Sequence, residues 1–317
     1  MDARQAAMSV ERSGSIAMPA QALPPGTPAA THAALALTVM LWSSNFIIGR
    51  AVRGDVSPVT LNFLRWALAL LVLVPITLPT LRMHRTLLAR HWKLAAVLGF
   101  TGIAAFQTLG YVALTMTTAM NSVLLLSLAP LAMAALSWLA HGERLSARQG
   151  LGLATSLVGA TVLVLHGDGA TLAELRFNAG DLWMLLAVAV WAVYSVLLRR
   201  RPPELSPLAL HTVSVAAGTL CMVPAYGLEV ARGHGLPGSA AAWAGIAFVA
   251  VFSSAFAHAL WVRSVAAIGV NRAGVYIHLM PLFGAVLAMA FLGEQLAPYH
   301  VVGALLVLCG VALANRP

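Results

Sequence analysis

Charge is what this sequence has least of. Only 9% of its 317 residues are Asp, Glu, Lys or Arg, against 60% apolar ones; a water-soluble domain carries about 25% and 45–50% respectively. So little charge leaves no material for a soluble catalytic domain or a nucleic-acid-binding module. The formal net charge of +9 does not argue otherwise, because the basic residues are scattered through short segments between apolar runs, as membrane topology demands. No nucleic acid partner is expected. Cysteine is nearly absent as well. Cys221 and Cys309 lie inside apolar runs without paired spacing, so they read as small apolar side chains, and no disulfide scaffold, metal or redox cofactor follows. His-x-x-x-His, Gly-x-Ser-x-Gly and paired carboxylates within apolar runs are missing, which removes the signatures of an integral membrane enzyme. Rings of charge and repeated filter loops, the marks of a channel, are missing too.

What is present is a series of ten apolar segments, at 33–52, 58–79, 93–114, 118–140, 147–166, 179–199, 206–228, 241–263, 270–292 and 298–314. Each is about the 20 residues that a helix needs to cross the hydrocarbon core. None alternates like a barrel strand, and lipid offers a bare backbone no hydrogen bonds, so all ten are expected to be helices: an all-α integral membrane protein with the bilayer as its first partner. Residues 1–31 have no sustained apolar core and read as a disordered cytoplasmic tail. With the amino terminus inside, fourteen Lys and Arg residues fall on the cytoplasmic side and four on the other, with Arg65 left within a helix. That asymmetry places both termini in the cytoplasm, and a plasma membrane location is the expectation.

The chain repeats itself. At an offset of 149, Trp42 matches Trp191, Arg50 matches Arg199, Ser57-Pro58 matches Ser206-Pro207 and Pro75 matches Pro224. Later the offset is 151: Pro130 matches Pro281, Gly142-Glu143 matches Gly293-Glu294, Gly152 matches Gly303 and Gly159 matches Gly310. A small length change near the third and eighth segments accounts for the drift. Each unit, 33–166 and 179–314, holds five helices, an odd number, so the second is expected upside down relative to the first. Inverted repeats are a recurring construction of secondary transporters, because two such halves exchange inward-open and outward-open shapes at little cost.

The repeated residues have local readings. Ser57-Pro58 and Ser206-Pro207 are helix starts, serine capping and proline at the first helical position. Pro130 and Pro281 fall in mid-span and predict bends in the fourth and ninth helices, static or hinged. Gly152/Gly159 and Gly303/Gly310 put small residues on one helix face, for packing against neighbours or against a second copy in a homodimer. Glu143 and Glu294 follow helix ends and suit capping or pairing with loop arginines.

Leu41-Trp42-Ser43-Ser44-Asn45-Phe46, the segment from Pro130 to Glu143 and its copy from Pro281 to Glu294 resemble the drug/metabolite transporter superfamily, specifically its ten-helix members made of two EamA-type domains. The resemblance spans roughly residues 33–314. Members of that family often carry Trp-Gly-Ser-Asn where this chain has Trp42-Ser43-Ser44-Asn45, so a helix-packing glycine is absent here. The resemblance implies movement of small metabolites such as amino acids, with export the first expectation, through a cavity between the two halves.

Polar and aromatic side chains near mid-span are the candidates to line such a cavity. They are Ser43, Ser44 and Asn45 in the first helix, Gln107 and Tyr111 in the third, Trp191, Tyr194 and Ser195 in the sixth, His258 and Trp261 in the eighth, and Asn271, Tyr276 and His278 in the ninth, with Asn121 and Ser122 near the outer end of the fourth. Arg65 is the one charged residue well inside a span; it is read either as an anchor for a substrate carboxylate or, the reading favoured here, as snorkelling outward or pairing with Asp55. No Asp or Glu occupies a helix centre, so proton coupling would fall to His211, His258 or His278.

Overall fold

The computed structural model describes residues 28–52, 54–174, 177–292 and 295–316, and none of these lies in a β-strand. Among the described residues, nine helices are long and apolar enough to cross a membrane: α2 Pro58–Met83, α3 Trp92–Met116, α4 Met120–His141, α5 Ala147–Val164, α6 Ala179–Arg200, α7 Pro207–Ala231, α8 Ala240–Ile268, α9 Val270–Ala290 and α10 Pro298–Asn315. α1, Pro28–Val52, is a further helix of 25 residues, about 37 Å long at 1.5 Å per residue. It already includes Pro28 to Thr31, which the sequence reading assigned to the tail; proline is tolerated in a first turn because it forfeits only an N–H that has no helical acceptor. The rest of the expected tail, Arg53, Arg176, Gly293 and Glu294 lie outside the described residues.

Local chemistry sets the helix ends. Ser57 accepts a hydrogen bond from Thr60 N at 3.2 Å, with Pro58 at the first helical position. Its counterpart Ser206 makes no side-chain cap although Pro207 is placed alike, which corrects the capping half of that expectation. α4 ends on Gly142 at φ 70°, a left-handed conformation that a side chain would strain. Beyond it Glu143 pairs with Arg199 of α6 and accepts a hydrogen bond from Ser137 Oγ at 2.7 Å.

The halves interlock. α1 packs on α8 and α9, while α6, its counterpart, packs on α3 and α4; α2 packs on α7 and α8, α7 on α2 and α3, and α5 on α10. Each of these contacts joins one repeat to the other. At the α5–α10 crossing the backbones meet at glycine: a Cβ on Gly152 would stand 2.6 Å from Gly310 O, and one on Gly159 2.8 Å from Gly303 O. These pairings show that the two helices run antiparallel, and they occupy the small-residue faces within the chain, so those faces are not free for a second copy.

Four helices are interrupted. α3 contains a π-helical stretch, Gly99–Ala105, and α8 another, Val249–Ala257. The second is two residues longer, which matches the change of the repeat offset from 149 to 151. α4 breaks at Ser127-Leu128, before Pro130, and α9 passes through a 3-10 turn at Val275–His278, before Pro281. Each proline lacks the N–H that would bond the carbonyl four residues back, so the preceding turn rearranges.

Asp55 does not approach Arg65. Its carboxylate accepts hydrogen bonds from Gly238 N at 2.9 Å, Ser239 N at 3.0 Å and Ser239 Oγ at 2.6 Å, tying the α1–α2 loop to the start of α8. The Ser239 hydroxyl, then the Gly238 amide, hold this carboxyl below its ordinary value of 3.8. A depressed value means that the contribution to stability is present above about 3.8 and is lost as pH falls through the lower folded-state value. Asp55→Asn is therefore expected to lower the melting temperature at neutral pH, and the gap from the native protein should close on acidification below that value; thermal melts in detergent across pH check it.

Candidate functional site

Two adjoining clusters occupy the junction of α1, α2, α3, α6, α7 and α8. The first is polar and centres on Arg65, whose residue is wholly buried. Its Nε donates to Ser254 Oγ at 2.8 Å, and its Nη1 to Tyr111 OH at 3.2 Å and, more weakly, to Asn45 Oδ1 at 3.4 Å. Nη2 has no acceptor, and the guanidinium carbon lies 5.1 Å from the centre of the Trp66 ring, a cation–π distance. Burial excludes snorkelling, and Asp55 is engaged elsewhere, so the favoured reading of Arg65 is overturned.

The second cluster is aromatic. The Trp42 ring lies 5.3 Å from Trp191, 5.3 Å from Trp261 and 4.9 Å from His258. Trp66 stands edge-on to His258 at 4.9 Å, and His211 stacks on His258 at 6.0 Å. Trp42 Nε1 donates to Ser253 O at 3.2 Å, while His258 Nδ1 lies 3.0 Å from the same carbonyl. That carbonyl belongs to the π stretch of α8, and both side chains meet it. In α3 the corresponding service falls to Ile103 O, which accepts from Asn62 Nδ2 at 3.3 Å.

The structure thus brings together Asn45, Arg65 and Tyr111 in the polar cluster, and Trp191, Tyr194, His258 and Trp261 in the aromatic one, Trp191 lying 5.1 Å from Tyr194. Ser195 is buried beside them along α6, its Oγ without a partner. Ser43 bonds Val39 O and, across to α9, Met280 O; Ser44 bonds Leu41 O of its own helix. Gln107 is half-buried on α3. Tyr276 and His278 stand apart: the Tyr276 hydroxyl meets His32 Nδ1 at 2.7 Å, and His278 joins Ser127 O at 2.8 Å to Ser156 Oγ at 2.7 Å. Trp42, Trp66 and Ser254 were missed as site residues. The tandem Ser253-Ser254 in an apolar run and the recurrence of Trp42 as Trp191 were the available signals.

Packing is uneven along the core. Residues 105–112 of α3 and 280–285 of α9 are half-exposed on every side, whereas residues 273–279 of α9 are all buried. The buried stretch seats Gly274 against Pro130 and Met133 of α4, where a Cβ would come within 3.0 Å of Met133 Cε. A separate cleft of about 750 Å³ lies between α4 and α5, lined by apolar side chains such as Leu131, Trp138 and Leu157 and by Glu143 and Arg144; it holds no residue of the polar or the aromatic cluster. Among the described residues, no group of three or more His, Cys, Asp or Glu could hold a metal ion.

Interlocked spanning helices around a buried polar and aromatic centre define a multi-pass helical membrane protein. The EamA-like transporter family matches the chain twice, over residues 30–165 and 178–316, and the chain belongs to that family, within the drug/metabolite transporter superfamily. Similar proteins include an uncharacterized transporter, YyaM, of Bacillus subtilis (27% identical over 274 residues, 86% of this chain and 89% of that protein). Another is a probable terminal-alkyne amino-acid exporter of Streptantibioticus cattleyicolor (29% over 284 residues, 89% and 92%). A protein of known crystal structure shares the fold, with a TM-score of 0.69 at 20% identity over 90% of this chain and 96% of that one.

Proposed function

We propose that this protein is a secondary transporter that moves a small polar metabolite, amino acids first, by alternating access between two inverted repeats. The observation that carries the reading is the unequal packing of repeat-related segments. Gln107, on the stretch of α3 with no buried side, is half-buried, while His258, 151 residues on, is buried. Gly274 of α9 seats against Pro130 and Met133 of α4 within a fully buried stretch, whereas the repeat counterpart of Pro130, Pro281, opens a stretch of α9, residues 281–285, that is only half-buried. Two nearly equivalent arrangements, one closed and one open, are what a carrier needs at its two faces. On this reading the conformation described is closed toward the basic, cytoplasmic face and open toward the other. The antiparallel α5–α10 pair supports the inversion, the excess of loop arginines on one side supports cytoplasmic termini, and the plasma membrane is the assigned location. Export is the assigned direction, by likeness to the Streptantibioticus cattleyicolor protein.

The test is counterflow in proteoliposomes. Preloading with unlabelled amino acid should accelerate entry of label, saturably, because a carrier returns faster when occupied; a channel gives no such acceleration, and that result would reject the proposal. Single cysteines at Gln107 and at Ala273, in a protein whose exposed Cys221 and Cys309 have been replaced by alanine, should react with a membrane-impermeant maleimide in opposite senses as substrate is added.

A further inference from the structure

We infer that Arg65 is the anchor for a carboxylate on the transported molecule, so that the substrates are carboxylate-bearing metabolites, and amines and sugars without that group are excluded. This rests on the transport reading above and narrows it. A guanidinium has five N–H donors and a fixed positive charge, and an uncompensated charge in a spanning helix is costly enough to be kept only for a use. Around Arg65 every partner in the structure is neutral: Ser254, Asn45, Tyr111 and the Trp66 face. Nη2 is buried with no acceptor at all.

Asp55, Glu143 and Asp181 have partners of their own. Asp55 holds the start of α8, Glu143 pairs with Arg199, and Asp181 accepts from Thr117 Oγ1 at 2.5 Å and from Asn121 Nδ2 at 3.3 Å. Among the described residues, the ion pairs are Arg199–Glu143 and Arg232–Glu229. Nor does the architecture require the charge, since the repeat counterpart of Arg65, 149 residues on, is Ser214.

The approach assigned to the substrate runs past Tyr111: its hydroxyl accepts from Nη1, and of the four partners named it alone is half-buried, where Asn45, Ser254 and Trp66 are buried. The bare Nη2 beside Nη1 presents the two-pronged edge that matches the two oxygens of a carboxylate. An ammonium at the same point would meet a like charge with no acid to offset it.

The experiment compares matched pairs in counterflow: alanine with alaninamide, leucine with leucinamide, and lactate with propane-1,2-diol, in native, Arg65→Gln and Arg65→Lys proteins. Carboxylates should exchange at least about thirtyfold faster than their uncharged-end partners, and Arg65→Gln should lose that advantage, with Arg65→Lys between. Thermal melting of the native protein in detergent gives a second measure that needs no variant to fold: carboxylates should raise the melting temperature and the amides should not. Equal handling of acids and amides, or an Arg65→Gln protein as selective for acids as the native one, would overturn the anchor while leaving a transporter. Failure of every probe to show saturable exchange would remove the transport reading and this inference together.

Discussion

Gly159→Val should yield little folded protein, while Gly150→Val on the same helix is tolerated. A Cβ at Gly159 would lie 2.6 Å from Val307 N and 2.8 Å from Gly303 O, both backbone atoms of α10 that cannot turn aside as a side chain can. A Cβ at Gly150 meets nothing within 4 Å. Overpacking a dense interior ordinarily costs about 1–3 kcal/mol, and more when backbone must move. Here the α5–α10 crossing must open, and in lipid that close contact is itself the main source of helix association, since apolar side chains gain nothing by leaving the bilayer. The yield of monodisperse protein by gel filtration and its melting temperature measure the difference. Equal yields from the two variants would show that the crossing is not the backbone-to-backbone contact described.

The second large effect is at Trp42. Its ring touches those of Trp191, Trp261 and His258, and its N–H bonds the Ser253 carbonyl in the π stretch of α8. Trp42→Ala should cost about 3–5 kcal/mol through lost contacts and the void left behind, and transport should fail with it because α1 loses its fit to α6 and α8 together. Trp42→Phe keeps most of the apolar body and removes the donor, so its cost should be nearer 1 kcal/mol. Trp92, 60% exposed, is the control: its replacement by alanine should shift stability by less than about 0.5 kcal/mol. Denaturation with increasing SDS, followed by far-ultraviolet circular dichroism, ranks the three.

Much of the fold was legible because the bilayer simplifies the problem. A run such as 58–79 admits one solution, a helix, and in α2 that helix runs from Pro58 to Met83. Proline and the change of repeat offset located the irregularities as well: the breaks precede Pro130 and Pro281, and the two extra residues lie in the longer π stretch. The site was less legible. Arg65 looked like a candidate for snorkelling because helix position alone does not say which way a side chain turns, and Asp55 looked close along the chain although its carboxylate faces Gly238 and Ser239. His278 looked like a cavity residue, but both its ring nitrogens are used to join α9 to α4 and α5. Trp66 carried no sign of its role, being one more aromatic in an apolar run.

By itself the sequence determined the placing of most apolar spans, the duplication, and the family resemblance carried by the Trp42 segment and the Pro130 and Pro281 segments. These depend on hydropathy and on spacing along one chain, where lipid enforces the outcome locally. Only the tertiary structure decided that the halves interlock, that the glycine faces of α5 and α10 are spent on each other, and that a guanidinium is buried among α1, α2, α3 and α8 with one nitrogen bare. The reason is rotational: a helix of 3.6 residues per turn changes the neighbours of a side chain with every residue, and the angle at which each helix settles is set by close packing against partners more than a hundred residues away.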